Sequence, residues 1–230
     1  MSGAWRRSAP RWSASTTWTT SAPAWSPRSS AAPPTRTWRG EGGGILINQG
    51  QHDLDLLCHL AGGPPARVVG WTRARLHAIE VEDTGDALAE WPGGAAGSIH
   101  ISTAEADEAQ RIEVVGTGGR LRVLPGRLEV HRSAVDFREY AATATNAFAP
   151  PAVEALPALE GGPGGHVAIY RNLVAAMAGT EPLLAPGREG AWPLELANAI
   201  VLSAATNAEV RLPLDRAAYS DLLARRRRGD

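Results

Sequence analysis

The sequence predicts an α+β fold: a mostly antiparallel open sheet with helices packed on one face. Three observations carry that reading. Between residues 66 and 131, short alternating apolar runs are separated by turn-formers, and connections that short join antiparallel neighbours, because parallel pairs need long crossovers. Helical spacing appears on both sides of that block, at 46–61 and again at 166–178 and 194–205. The composition suits one large globular core, with 43% apolar residues and a formal net charge of −1 over 230 residues.

Residues 1–37 stand apart from the rest. They are rich in Ser, Thr, Ala, Pro, Arg and Trp, and the first acidic residue of the chain is Glu41. Trp5, Trp12, Trp18 and Trp25 recur at gaps of six or seven, but prolines and missing apolar positions rule out a heptad. This stretch is read as a disordered or out-of-place leader, residues 38–215 as the folded domain and residues 216–230 as a basic tail. At 42–44 a glycine run opens into helical spacing, with Leu46, Leu54, Leu57 and Ala61 on one side. Gly62-Gly63-Pro64-Pro65 closes that helix.

Strands are predicted at 67–73, 84–91, 96–103, 111–115, 120–124 and 128–131, with turns at Pro92-Gly93-Gly94, Gly116-Thr117-Gly118-Gly119 and Pro125-Gly126. Residues 136–165 carry little pattern and are read as a long surface loop. Val167, Tyr170, Val174 and Met177 align on a helix stopped by Gly179. A second helix covers 194–205, with Pro193 at its start or kinking an earlier turn. Residues 210–214 read as an edge strand holding Pro213, and 217–228 is weakly helical, ending in four arginines.

The polar side of the first helix carries the chemistry. Asn48, His52, Asp55 and His59 follow one another at three- or four-residue steps, which places them on one face. A hydroxyl undergoing oxidation must lose its proton as the hydride leaves, and an imidazole, with a reference pKa of about 6.5, suits that step. His52 is the candidate base, Asp55 could orient its ring and Asn48 could bind the substrate oxygen. Ordinary polar residues on a half-exposed helix would look the same. His52, Asp55 and His59 also have metal-ligand spacing, but no cysteine pair or second His/Glu cluster completes a site, so no metal is expected. Gly116-Thr117-Gly118-Gly119 precedes a strand, not the helix that a dinucleotide fingerprint needs.

The pattern Gly-Gly-Gly-x-Leu-x-Asn-x-Gly-x-His-x-x-Asp-Leu-Leu at 42–57 closely resembles the Gfo/Idh/MocA oxidoreductases. The resemblance continues through Val81-Glu82-Asp83-Thr84, Ile112-Glu113-Val114-Val115-Gly116-Thr117-Gly118-Gly119 and Ala199-Ile200-Val201-Leu202-Ser203-Ala204, and covers roughly residues 38–215. It implies the fold of that family's C-terminal substrate domain and NAD or NADP in the parent activity, acting on a sugar, inositol or related polyol. It also implies His52 as catalytic acid/base with Asn48 and Asp55 beside it, and Gln51 and His166 as substrate-binding residues. A homo-oligomer through the sheet face is expected because the helices suffice to cover only one side of the sheet, and the likeness points the same way.

The family's Glu-Lys-Pro lysine has no counterpart, because the chain contains no lysine. Nothing before residue 38 resembles a dinucleotide-binding domain, so the chain is read as truncated, binding no cofactor and inactive by itself. The alternative is a non-enzymatic dimerising or sugar-binding module derived from such an oxidoreductase. The near-zero charge gives no sign of nucleic-acid or membrane binding. The single cysteine, Cys58, and the lack of a long apolar run fit a cytoplasmic protein.

Overall fold

Alternation and tight turns generate the sheets. The computed structural model describes residues 36–105, 111–124, 127–146, 148–157 and 165–229. In chain order the elements are α1 (Gln51–Ala61), β1 (Arg67–Arg73), β2 (Thr84–Glu90), β3 (Ala96–Ser102), β4 (Ile112–Gly116), β5 (Gly119–Leu124), β6 (Arg127–Ser133), α2 (Phe137–Thr143), β7 (Val153–Leu156), α3 (His166–Met177), α4 (Ala191–Thr206), β8 (Val210–Arg211) and α5 (Arg216–Arg228). The described strands form two open antiparallel sheets of four, ordered β3-β2-β1-β8 and β4-β5-β6-β7. The fold is thus α+β and antiparallel, as the pattern predicts, with the strands divided between two sheets.

The first sheet is built on a full seven-residue register between β1 and β2 and another between β2 and β3. Its inner face supplies Val68, Ala87, Ala89, Ile99 and Ile101 to a core that also takes Leu54, Leu57 and Cys58 from α1. Helix α4 lies across this face and buries Leu196, Ala197, Ile200 and Val201. Gly70 permits the close approach, since a Cβ there would stand 2.8 Å from Ile200. The Gly70 N–H donates to Ser203 Oγ at 2.9 Å, and that hydroxyl donates to the Ala208 carbonyl at 2.6 Å. A strand N–H and a loop carbonyl are therefore both satisfied inside the core by one serine.

In the second sheet, β4 and β5 meet in a two-residue turn with Gly116 opposite Gly119. Gly119 has a φ of +139°, and a Cβ there would lie 2.0 Å from the His131 carbonyl oxygen. Only glycine fits. The apparent glycine fingerprint is a hairpin.

One segment differs from the sequence reading. The stretch 136–165 is not loop throughout. Asp136 caps α2 by accepting from the Arg138 N–H at 2.9 Å, and β7 pairs with β6. Neither shows in the apolar pattern, because none of α2 is buried and β7 is only four residues long. Pro193 lies in the first turn of α4, after a 3₁₀ turn at Gly187–Gly190, where a missing N–H leaves no intrahelical bond unmade. The predicted leader lies almost wholly outside the described residues. At its end, the Trp38 indole donates to the Glu80 carbonyl at 3.0 Å and Arg226 of α5 sits 5.7 Å above the ring. The last thirteen-residue helix, capped by Asp215, buries Tyr219 and Leu222; its four arginines occupy the last turn. No helix among the described residues is long and apolar enough to cross a membrane.

Candidate functional site

The glycine run does not continue into helix. Gly43 and Gly44 are buried, and the chain winds through an irregular turn closed by Asn48 N–H to Gly44 carbonyl at 3.0 Å and Gly50 N–H to Ile45 carbonyl at 2.8 Å. Helix α1 begins only at Gln51. Asn48 therefore stands on the turn before the helix and not one helical turn above His52 on a shared helix face, which corrects the predicted geometry. The physical reason is the crowding at Gly44, where a Cβ would be 1.8 Å from the Glu82 carbonyl oxygen. The backbone there is held against β2 and cannot coil freely.

Glu82 makes that attachment. Its carbonyl accepts from the Ile45 N–H at 2.9 Å, and its Oε1 accepts from Gly44 and Leu46 N–H at 2.9 and 3.3 Å. Its other oxygen is buried without a partner among the described residues. Burial pushes the Glu82 carboxyl up, and the neighbouring Asp83 charge adds to this against its own, the Gly44 and the Leu46 N–H groups, which favour the anion. Tyr219 is likewise pushed up to about 12, by burial first and then by Glu82.

Asp83 has the opposite balance. Burial would raise its pKa, but N–H groups of His77, Arg75 and Leu76 and the His77 ring outweigh it and hold the carboxyl down at about 2. The three N–H contacts are 2.8 to 3.0 Å. Asp83 thus ties the loop after β1 to the start of β2.

Asn48 faces a small cleft of about 40 Å³ together with Arg36, Glu41, Glu82, Asp83 and Thr103. His52, Asp55 and His59 lie along the exposed side of α1. His52 has no hydrogen bond among the described residues, to Asp55 or to any other group, which leaves both ring nitrogens available to a ligand. The Gln51 amide donates to the Leu46 carbonyl at 2.7 Å, closing the turn from within. His166 is the exposed first residue of α3 and does not line the Asn48 cleft. Cys58 is fully buried, its thiol pushed up to about 12 by burial and then by Asp55, so it is a packed, inert group. Glu82 entered the sequence reading only within the Val81-Glu82-Asp83-Thr84 motif and with no role of its own; its signal was an acidic pair placed directly before a strand.

Residues 14–122 match the GFO/IDH/MocA C-terminal domain. Over that stretch the chain resembles this family's C-terminal domain. The match begins inside the compositionally distinct stretch 1–37. Among solved structures, this domain is similar to the WlbA dehydrogenase from Bordetella pertussis in complex with NADH and UDP-GlcNAcA, with 29% identity and a TM-score of 0.65 over 86% of this chain and 57% of that one. It is also similar to the WlbA dehydrogenase from Chromobacterium violaceum, in complex with the same two ligands, at 28% identity and a TM-score of 0.61 over 86% and 55%. The fold is shared with the UDP-N-acetylglucosamine 3-dehydrogenase GnnA from Acidithiobacillus ferrooxidans, at 18% identity and a TM-score of 0.59 over 84% and 55%. The chain thus spans little more than half the length of these dehydrogenases. No curated protein matches it. Among the described residues no group of three metal-ligating side chains comes together.

The Asp83 geometry sets an acid response. A carboxyl held at about 2 against an ordinary 3.8 stabilises the fold above the ordinary value, and the gain disappears as pH falls through about 2. The shift corresponds to roughly 2 kcal/mol at neutral pH. Asp83→Asn is expected to lose about that much in urea denaturation at pH 7 and to approach the parent near pH 2. An equal loss at both pH values would contradict the assignment.

Proposed function

We propose that this domain forms the substrate side of an NAD(P)-dependent oxidoreductase acting on a sugar, in particular a nucleotide-linked one. The similarity at 28–29% identity to dehydrogenases solved with NADH and UDP-GlcNAcA carries this reading. In it, His52 takes the proton from the hydroxyl being oxidised, or returns it in reduction. An imidazole without a protein partner is free to do so at either nitrogen. Asn48 donates its amide to the same oxygen from the preceding turn, and Asp55, three residues on, supplies a negative charge beside the imidazolium as it forms. Gln51 acts one step back, by holding the turn that presents Asn48. His166 would have to reach the ligand from α3.

The nicotinamide supplies the hydride chemistry in such enzymes. The described residues do not fit a dinucleotide, because the Gly116-Thr117-Gly118 run is the β4–β5 hairpin with a strand on each side and the Gly40–Gly44 run follows no described strand. The work assigned here to the chain is therefore positioning and proton handling. Calorimetry tests it. We expect saturable binding of UDP-GlcNAcA, weakened about fivefold to tenfold in Asn48→Ala and in His52→Ala, and no binding of NAD or NADP by this chain tighter than about millimolar. Failure of UDP-GlcNAcA and of inositols to saturate, or indifference to both substitutions, would overturn the reading.

We further propose self-association through the outer face of the first sheet. Val69, Trp71 and Leu88 project there, with Trp71 and Leu88 exposed, inside a rim formed by the Arg67–Glu90 and Arg67–Glu209 ion pairs. An apolar centre with a charged rim is the usual build of an interface. Sedimentation at about 50 μM, well above dissociation constants common for large apolar interfaces, is expected to show a dimer or larger, and Leu88→Glu a monomer. A monomeric parent would sink this proposal.

A further inference from the structure

The second sheet carries an unmatched basic pair. Register places Arg120 of β5 opposite His131 of β6, and Val115 of β4 opposite Arg120, so all three side chains leave the same face. Further along that face the charges are balanced: Arg122 reaches Glu113 at 2.8 Å and Glu129 at 3.5 Å. Arg120 and His131 have no ion pair or side-chain hydrogen bond among the described residues. Ser133, two residues beyond His131 and so on the same face, has a buried hydroxyl that is also without a partner there. The carboxylate of the adjoining turn, Asp136, is already committed, to the Thr117 hydroxyl at 2.8 Å and the Arg138 N–H at 2.9 Å.

These groups line one open cleft of about 600 Å³, walled by Val115, Phe137 and Pro151. Apolar walls with a few convergent polar groups mark small-molecule sites. The Arg120 guanidinium has no carboxylate partner among the described residues, and a bound oxyanion would supply the missing counter-charge. The planar guanidinium fork matches a carboxylate or phosphate through two parallel hydrogen bonds.

We propose that this cleft binds a small organic anion. Its carboxylate or phosphate group is held by Arg120, with His131 and Ser133 as further hydrogen-bonding groups, and its flat apolar body lies against Phe137. The cleft shares no lining residue with the Asn48 cleft, so the proposal is independent of the sugar reading. It points to a second ligand on the chain, not to a second view of the same one.

The test is calorimetric titration of the whole chain with phenyl phosphate, benzoate, inorganic phosphate and the neutral benzyl alcohol. At least one aromatic anion is expected to saturate, with benzyl alcohol about tenfold weaker or more and Arg120→Gln costing that anion a similar factor. Whichever of phenyl phosphate and benzoate binds more tightly identifies the oxyanion. Phe137, half exposed, can be cut back without opening the core, so Phe137→Ala gives a second reading if Arg120→Gln fails to fold. It should weaken the aromatic anions and leave inorganic phosphate unchanged. Equal binding of benzyl alcohol and benzoate, anion binding unaffected by either substitution, or no saturation below about 10 mM (the weakest affinity worth calling a site) would overturn the proposal.

Discussion

Much of this structure hangs on one buried carboxylate. Glu82 takes the Gly44 and Leu46 N–H groups on its side chain and the Ile45 N–H on its carbonyl. Three successive amides of an irregular turn are thus satisfied by a single residue just before β2. Water could not satisfy them, since Gly44, Ile45 and Leu46 are buried, and an unpaired buried amide costs about 1–3 kcal/mol. The arrangement fixes where α1 starts and which residues precede it. Asn48 and His52 owe their positions to that attachment and not to helix periodicity.

The neighbouring acid does a complementary job. Asp83 anchors the loop that follows β1, while Glu82 anchors the turn that precedes α1, so two adjacent carboxylates organise two separate approaches to the same cleft. Their environments push them apart: Asp83 is held low by N–H donors, and Glu82 is pushed up by burial. An interior carboxyl that is reluctant to ionise still accepts hydrogen bonds. Holding the turn therefore does not require a buried charge.

The strands were legible in the sequence because period-2 alternation and glycine turns are local signals. Ile99 and Ile101, or Leu121 and Val123, state their faces without reference to the rest of the fold. Helix α4 was legible for the same reason, its apolar residues being buried on nearly every side. The family was legible too, from motifs spread over much of the chain. What could not be read was contact at long range. Nothing local marks Glu82 as the partner of Gly44, because the two stand 38 positions apart in sequence and are brought together only by the folded sheet. Helix α2 and β7 escaped notice because they bury almost nothing, so selection for an apolar pattern leaves no trace there. The division into two sheets was invisible as well, since strand pairing across a loop is not encoded in alternation.

The most direct test is native-state hydrogen exchange at the turn. If Glu82 holds it, the Gly44 and Leu46 amides of the parent are protected, and in Glu82→Leu their protection falls by about ten- to a hundredfold relative to amides in the middle of α4. Protection at Gly44 and Leu46 that moves only in step with α4 would contradict the account, because the turn would then be held by the core as a whole and not by this carboxylate.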